Sequence, residues 1–398
     1  MKILHTSDWH LGRRLDNRSR LDEQEEVLCE IAEIAEREDA RVILIAGDVF
    51  DTAVPPAEAE RLFFRAAKRL AGEGRAVVAV SGNHDDGVRL CASAPIAAES
   101  GIYIAGAGSA PFPTGGERRV RPVRSGEGWA EFRDTGTGES VYLGLLPYPT
   151  PELLNSAGEE ETYQGKVGLL IQRCMEAYEG GMPALFVSHL FVQGGQKSDS
   201  ERDIEVGGAQ CVPPELLPGF GYVALGHLHR RQQAGRENAW YSGSILQYSF
   251  SEAGNRKSVT LLETEGERIV PREIPLKRGK ELVRLEAGSV AEGVELLRRN
   301  AGSLAELKLH LTAPITPSEK GEIYSNANLR HFETDVSGHG AASAEEASRL
   351  VAALGERDAG KLFGEYYAKK FGGAEPPAEL MDLFLEIMKE VDHETDLS

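Results

Sequence analysis

Five short apolar runs in this sequence lead straight into residues that can hold metal ions. Lys2-Ile3-Leu4-His5 is followed by Asp8-Trp9-His10, and the run 42–46 by Gly47-Asp48-Val49-Phe50-Asp51. The run 77–80 leads to Gly82-Asn83-His84-Asp85, the run 184–187 to Ser188-His189, and the run 222–225 to Gly226-His227-Leu228-His229. Asp-x-His alone is common by chance, and a lone histidine is more often a core residue than a ligand. An ordered array of such ends is neither. Brought together, they offer the carboxylates of Asp8 and Asp48, the amide oxygen of Asn83, and the imidazoles of His10, His189, His227 and His229. Oxygen and nitrogen donors without thiolate suit Mn²⁺, Fe²⁺ or Zn²⁺ rather than Ca²⁺ or an iron–sulfur cluster. Seven donors exceed one ion, whereas two ions about 3.5–4 Å apart that share a carboxylate use them all. Such a pair polarises a phosphoryl group and acidifies a water. His84 is then the eighth group, and an imidazole beside the pair suits a general acid. His5, His310, His331, His339 and His393 are read as structural.

Convergence requires elements that bring these ends together. The runs are short, rich in β-branched residues and barely alternate, as strands buried on both faces do. Amphipathic stretches separate them; Val27, Leu28, Ile31 and Ile34 share one helical face. This is an α/β pattern, and in an open α/β sheet sites form beyond the carboxyl ends of the strands. Residues 106–140 are rich in Gly and Pro and carry the basic run Arg118-Arg119-Val120-Arg121-Pro122-Val123-Arg124, which reads as a surface excursion with short strands. After Pro275, strand-like 282–285, helical 291–299 and strand-like 307–311 form a small β-α-β unit. From Ser343 the pattern is helical.

The chain has 398 residues, enough for two or three domains with a real core. Hydrophobic residues make up 41% and charged residues 27%, which excludes wholesale disorder. No run approaches the ~18–20 apolar residues of a membrane span. The opening MKILHTSDWH is too polar for a signal peptide, and four cysteines without a CxxC pair fit a reducing cytoplasm. A net charge of −19 argues against a protein that wraps nucleic acid unaided, because phosphate binding is mostly electrostatic. It does not exclude a nuclease whose cations make the site locally positive.

The array resembles that of the calcineurin-like metallophosphoesterases. More narrowly, the chain resembles the nuclease subunits of bacterial double-strand-break repair complexes. The resemblance rests on His5-Thr6-Ser7-Asp8-Trp9-His10-Leu11-Gly12, Ala46-Gly47-Asp48-Val49-Phe50-Asp51-Thr52 with Pro55-Pro56, and Gly82-Asn83-His84-Asp85. Lys197-Ser198-Asp199, Arg202-Asp203-Ile204 and Ala224-Leu225-Gly226-His227-Leu228-His229-Arg230 also match. It implies a two-sheet αβ-sandwich metallophosphoesterase domain at 1–275, a small DNA-facing α/β cap domain at 276–340 and a C-terminal helical hairpin within 341–398. Asp8, His10 and His229 would hold one Mn²⁺, Asn83, His189 and His227 a second, with Asp48 between them and Mg²⁺ or another divalent metal as the alternative. His84 would protonate the leaving 3′ oxygen. Archaeal and eukaryotic relatives carry histidine where this chain has Asp51, so Asp51, like Asp85, is expected to orient ligands from behind. Arg13, Arg14, Arg20, Arg230 and Arg231 are candidate DNA contacts. Helices carrying Leu62, Phe63, Phe64, Leu90 and Ile96 would form a homodimer. The activity implied is Mn²⁺-dependent DNA hydrolysis, exonucleolytic on double strands and endonucleolytic on single strands and hairpins. An SMC-type ATPase partner would gate it, since the chain has no GxxxxGK[ST] loop of its own. A metallophosphatase or phosphodiesterase acting on a small molecule or protein is the rival on the same fold.

The resemblance implies that the tail supplies the partner contact. Leu380, Leu383, Phe384 and Ile387 form one apolar stripe after Pro376-Pro377, and Leu362, Phe363, Tyr366 and Tyr367 form a second. The resemblance assigns both stripes to the coiled-coil root of the ATPase, as helices in a groove. Ending the chain after about Ser343 should leave a folded, Mn²⁺-binding protein that no longer copurifies with the ATPase. Copurification of the shortened chain would move the contact onto the phosphoesterase domain.

Overall fold

The computed structural model describes residues 1–201 and 210–336, together with Pro376, Leu380 and Met381. Met1–His310 and Ile315–Asp335 form one compact unit. A second comprises Leu311–Pro314 and Val336–Ser398, most of it outside the described residues. The tail stripes accordingly lie outside the described residues, except for Leu380, which is helical and 38% exposed.

Two sheets face each other. The first has six strands in the order Arg268–Pro275, Ser258–Glu265, Lys2–Thr6, Val42–Ala46, Ala76–Val80, Ile102–Ala105. The second has seven: Gln232–Gln233, Ala239–Tyr241, Tyr222–Gly226, Ala184–His189, Ser140–Leu146, Trp129–Asp134, Val120–Gly126. The strands that end in site residues pair in parallel within their own sheet, so their carboxyl ends lie side by side.

Their continuous apolar runs follow from burial on both faces. In Val42–Ala46 and Ala76–Val80 every residue is buried. Ile43, Ile45, Val77 and Ala79 pack with Val27, Ile31, Phe63 and Leu70 of the outer helices Leu21–Arg37 and Ala57–Ala71. The alternate residues Val42, Leu44, Val78 and Val80 belong to the layer between the sheets, with Val141, Leu143, Leu185 and Val187. On the far side Phe186, Val223 and Leu225 pack with Val167, Leu170 and Ile171 of helix Tyr163–Met175. The order helix, sheet, sheet, helix is the αβ sandwich expected.

The excursion is more than surface. Val120, Ala130 and Phe132 are wholly buried in the inter-sheet layer, and Phe112 joins them. The alternation of Val120–Gly126 and Trp129–Asp134 makes an antiparallel hairpin that extends the second sheet. Arg121 and Arg124 sit on the edge strand, where charge and Pro122 discourage pairing with another chain. Arg119 pairs with the buried Asp134 at 2.8 Å, and Arg118 donates to the carbonyls of Gly72 and Arg75.

Beyond Pro275, Leu282–Ala287 and Leu304–Leu311 pair in parallel around helix Val290–Arg299, as expected. The structure adds helix Pro317–Tyr324, closed by a Thr316–Glu319 capping box, and a third strand, Leu329–Val336. Leu282 and Leu304 pack with Leu15 and Phe250, and the Leu282 amide donates to Gln247 Oε1 at 2.6 Å. Of the apolar set expected at a dimer contact, Leu62, Phe63 and Leu90 lie in the chain's own core, while Ile96 is 75% exposed.

Phe132 tests the place of the excursion in the core. Phe132→Ala should destabilise the protein by about 3–5 kcal/mol in urea unfolding, as buried aromatic truncations do. A loss below about 0.5 kcal/mol, typical of surface sites, would return the hairpin to the periphery.

Candidate metal centre

The five strand ends meet. Asp8, His10, Asp48, His84, His189, His227 and His229 are all buried, and Asn83 is partly so. The loops after the first two ligand strands lie side by side: the amides of Asp8, His10 and Leu11 donate to the carbonyls of Gly47, Asp48 and Val49 at 2.9–3.1 Å. Asp8, His10, Asp48 and His227 have left-handed backbone, with φ of 51°, 43°, 47° and 110°. Such conformations cost about 1–3 kcal/mol each and persist where surrounding structure over-determines them.

Each carboxylate splits its work. Asp48 Oδ1 accepts the His84 amide at 2.9 Å, and Asp8 Oδ1 accepts the His227 amide at 2.9 Å. Asp48 Oδ2 turns inward, 3.5 Å from His10 Nε2, 3.4 Å from His189 Nε2 and 3.9 Å from His84 Nε2. Gly82 is glycine for this reason: a Cβ there would stand 2.1 Å from Asp48 Oδ1. The donor atoms group as Asp8, His10 and His229, as His10, Asp48 and His84, and as Asp8, Asp48 and His189.

The imidazoles are oriented from behind. His189 Nδ1 donates to the Ala46 carbonyl at 2.9 Å, which turns Nε2 toward Asp48 and toward Asn83 Oδ1, 2.9 Å away. His84 Nδ1 donates to the Asp51 carbonyl at 2.7 Å, which leaves Nε2 on the Asp48 side. His229 Nδ1 lies 2.8 Å from Ser200 Oγ, which donates to Glu252 Oε1 at 2.5 Å. His229 Nε2 thereby faces His10 Nε2 at 3.0 Å. Two imidazole nitrogens this close, beside Asp8 and Asp48, form a pocket of lone pairs that fits a cation. His227 Nδ1 lies 3.2 Å from Asn83 Oδ1, and its Nε2 is buried without a hydrogen-bond partner. The residues present therefore fit divalent metal.

Burial raises the Asp8 carboxyl above its ordinary range against the pull of His189 and His229. Burial also works against ionisation of Asp48, but the His189 imidazole holds its carboxyl well below the usual range. Burial works against the His189 cation in turn, and Asp48 outweighs it, raising His189 to about 9. Burial lowers His227, helped by the charge of His189.

Asp85 and Asp51 brace the loops of the array. The Asp85 carboxylate accepts the amides of Gly82, Val49 and Phe50 at 2.8–3.1 Å and so ties two ligand loops together. Asp51 Oδ1 lies 3.5 Å from His10 Nδ1 and accepts Arg13 Nη1 at 2.9 Å. Burial opposes the ionisation of Asp51, yet His10 and Arg13 bring it down to about 2. Two further residues of the site do not stand out in the sequence. Glu252 is fully buried behind His229 and paired with Lys257, which also donates to the His229 carbonyl at 2.8 Å. Gln24, on the first helix, donates to the His10 carbonyl at 2.8 Å and accepts the Gly12 amide at 3.1 Å.

The calcineurin-like phosphoesterase family model matches residues 1–231, the span that contains the whole array. The SbcD component of the nuclease SbcCD from Bacillus subtilis strain 168 is 35% identical over 409 aligned residues, covering 99% of this chain and 99% of the relative. The chain belongs to the SbcD family of calcineurin-like phosphoesterases. The SbcD-family proteins of Rhodobacter capsulatus and Staphylococcus epidermidis are 36% and 31% identical, over 73% and 72% of this chain and equal shares of their own. Membership makes the chain a metal-dependent phosphodiester hydrolase.

Among the arginines expected to meet DNA, Arg20 is a correction. It is 2% exposed and bonded to Glu23 and the Gln247 carbonyl, so it braces the interior rather than facing a ligand. Tertiary burial separates it from Arg14, its exposed neighbour in sequence. Arg13 is bonded to Asp51 and to the Ser200 carbonyl. Arg230 is exposed, and Arg231 lies over the Trp240 ring at 4.4 Å.

Glu252 stands to His229 as supporting carboxylates stand to histidine ligands elsewhere, where their loss costs about 10–100-fold in metal affinity. Glu252→Gln should weaken Mn²⁺ binding by that factor in calorimetry. Unchanged affinity would make the Glu252–Lys257 pair a packing feature only.

Proposed function

We propose that this protein is a two-metal DNA nuclease using Mn²⁺, with Mg²⁺ or another divalent ion as the alternative. Asp8, His10 and His229 hold one ion, Asn83, His189 and His227 the other, and Asp48 lies between. The observation that carries this reading is Asp48 Oδ2, one oxygen within 4 Å of imidazoles from three different strand ends. Mixed oxygen and imidazole donors without sulfur match such ions. When bound, the ions supply charge that polarises the phosphodiester and acidifies the attacking water. The chain's own contribution is position and proton transfer. His84, held through Nδ1 on the Asp51 carbonyl, presents Nε2 and delivers its proton to the leaving 3′ oxygen. Asp85 keeps the loop of Asn83 and His84 against the loop of Asp48.

The relatives share the name of the SbcD component of the nuclease SbcCD, which supports DNA as substrate and an SbcC-like SMC-type ATPase as partner. The reading comprises ATP-dependent double-strand exonuclease and single-strand or hairpin endonuclease activity in DNA repair and recombination. Residues 1–275 carry the chemistry, 276–340 form a cap that faces DNA, and 341–398 bind the ATPase. Arg14, Arg230 and Arg231 supply backbone contacts, and a homodimer forms through the nuclease domain. No helix among the described residues is long and apolar enough to cross a membrane, and we place the protein in the cytoplasm.

Linear duplex DNA should be hydrolysed with Mn²⁺ and not without it, while a generic phosphomonoester is a poor substrate; activity on the monoester alone would overturn the reading. His84→Gln should retain both metals in elemental analysis and lose about 10²–10⁴ in rate, the usual worth of a general acid. Loss of a metal on that substitution would make His84 a ligand instead.

A further inference from the structure

The chain is acidic overall, with 63 Asp and Glu against 44 Lys and Arg. One cleft runs against that balance. It encloses about 580 Å³ between the loop 254–257 and the linker 275–281. Arg256, Lys257, Lys277, Arg278 and Lys280 line it against one carboxylate, Glu281. Two of these cations are engaged: Lys257 with Glu252, and Arg278 with Glu33 at 2.7 Å. Arg256, Lys277 and Lys280 are exposed, and none makes an ion pair within 4 Å among the described residues.

The linker is built to present them. The Glu30 carboxylate accepts the amides of Lys277 and Arg278 at 2.8–3.0 Å, and Glu23 Oε2 accepts the Lys280 amide at 3.1 Å. Between them Gly279 has φ +91°, and a Cβ there would stand 2.4 Å from Leu246 Cδ2. Acidic side chains of the first helix thus bind the linker's backbone, and the ammonium groups of Lys277 and Lys280 reach solvent without a close ion pair, Lys280 feeling Glu23 only at longer range. The other wall includes Lys257, which donates to the backbone carbonyl of His229 and so links this wall to the loop that carries His229. No aromatic residue lines it. Bases are held by stacking on aromatic rings, whereas phosphates are held by Lys and Arg.

We propose that this cleft seats backbone phosphates of the nucleic acid away from the cleaved linkage, with Arg256, Lys277 and Lys280 as the contacts. The inference rests on the nuclease reading above. It gives an acidic protein a local, sequence-independent grip on its substrate.

The test uses the full chain, a fluorescent 30-base-pair duplex and a salt series. Arg256→Glu, Lys277→Glu and Lys280→Glu combined should weaken binding at low salt by about tenfold or more and flatten the salt dependence. Each phosphate no longer neutralised takes about 0.9 from the slope of log affinity against log salt, so three together take about 2–3. The combined glutamine variant, with unchanged melting temperature, should flatten the slope in the same sense, which excludes misfolding as the cause. Unchanged affinity and slope in both variants, with a wild type that cuts duplex, would overturn the cleft and leave the nuclease reading standing. A wild type that neither binds nor cuts duplex would overturn both.

Discussion

One oxygen of Asp48 has three imidazole nitrogens within 4 Å, and much of the molecule serves to keep it there. A buried carboxylate is costly unless it is paired and hydrogen-bonded. Here the other oxygen takes the His84 amide, and the imidazoles surround the first. The consequences spread outward. His84 must be brought in by a turn whose glycine can approach Asp48, and Asp85 must hold that turn against the Asp48 loop. His189 must come from the opposite sheet, and it is fixed on a carbonyl of the strand that leads to Asp48. The two sheets face each other so that this junction can exist.

What the sequence disclosed follows from locality. Metal-binding types stand directly after apolar runs, and buried strands declare themselves by such runs, so the array and the α/β class are legible in the sequence, whereas the two-sheet sandwich follows from the family resemblance. Glu252 is not legible there: it stands 23 residues from His229, and its burial comes from tertiary packing. Gln24 looks like one more polar residue on a surface helix until the first ligand loop is laid over it. Arg20 belongs by composition to an exposed basic run and by structure to the interior. The excursion misled because its glycines and prolines dominate its composition, whereas the alternation that places Phe132 in the core spans only a few residues.

Support for the metal centre and for the small sheet converges on one short segment. Gln247 accepts the Leu282 amide and donates to the carbonyls of Glu252 and Asn255. Tyr248 donates its amide to Glu252 and its hydroxyl to the Trp9 carbonyl. The loop behind His229 is therefore also the seat of the small sheet, and the two belong to one compact unit.

The left-handed backbone at Asp8, His10, Asp48 and His227 narrows how this centre can change over evolutionary time. Aspartate, asparagine and histidine are the non-glycine types most at home in that region. At those positions the residue is chosen twice, once for its donor atom and once for its backbone. Exchanging aspartate for glutamate, or histidine for cysteine, would supply a donor but forfeit the conformational tolerance. Asn83, His189 and His229 carry no such restriction. On backbone grounds alone, a change of residue type is therefore less costly at those three positions than at the other four.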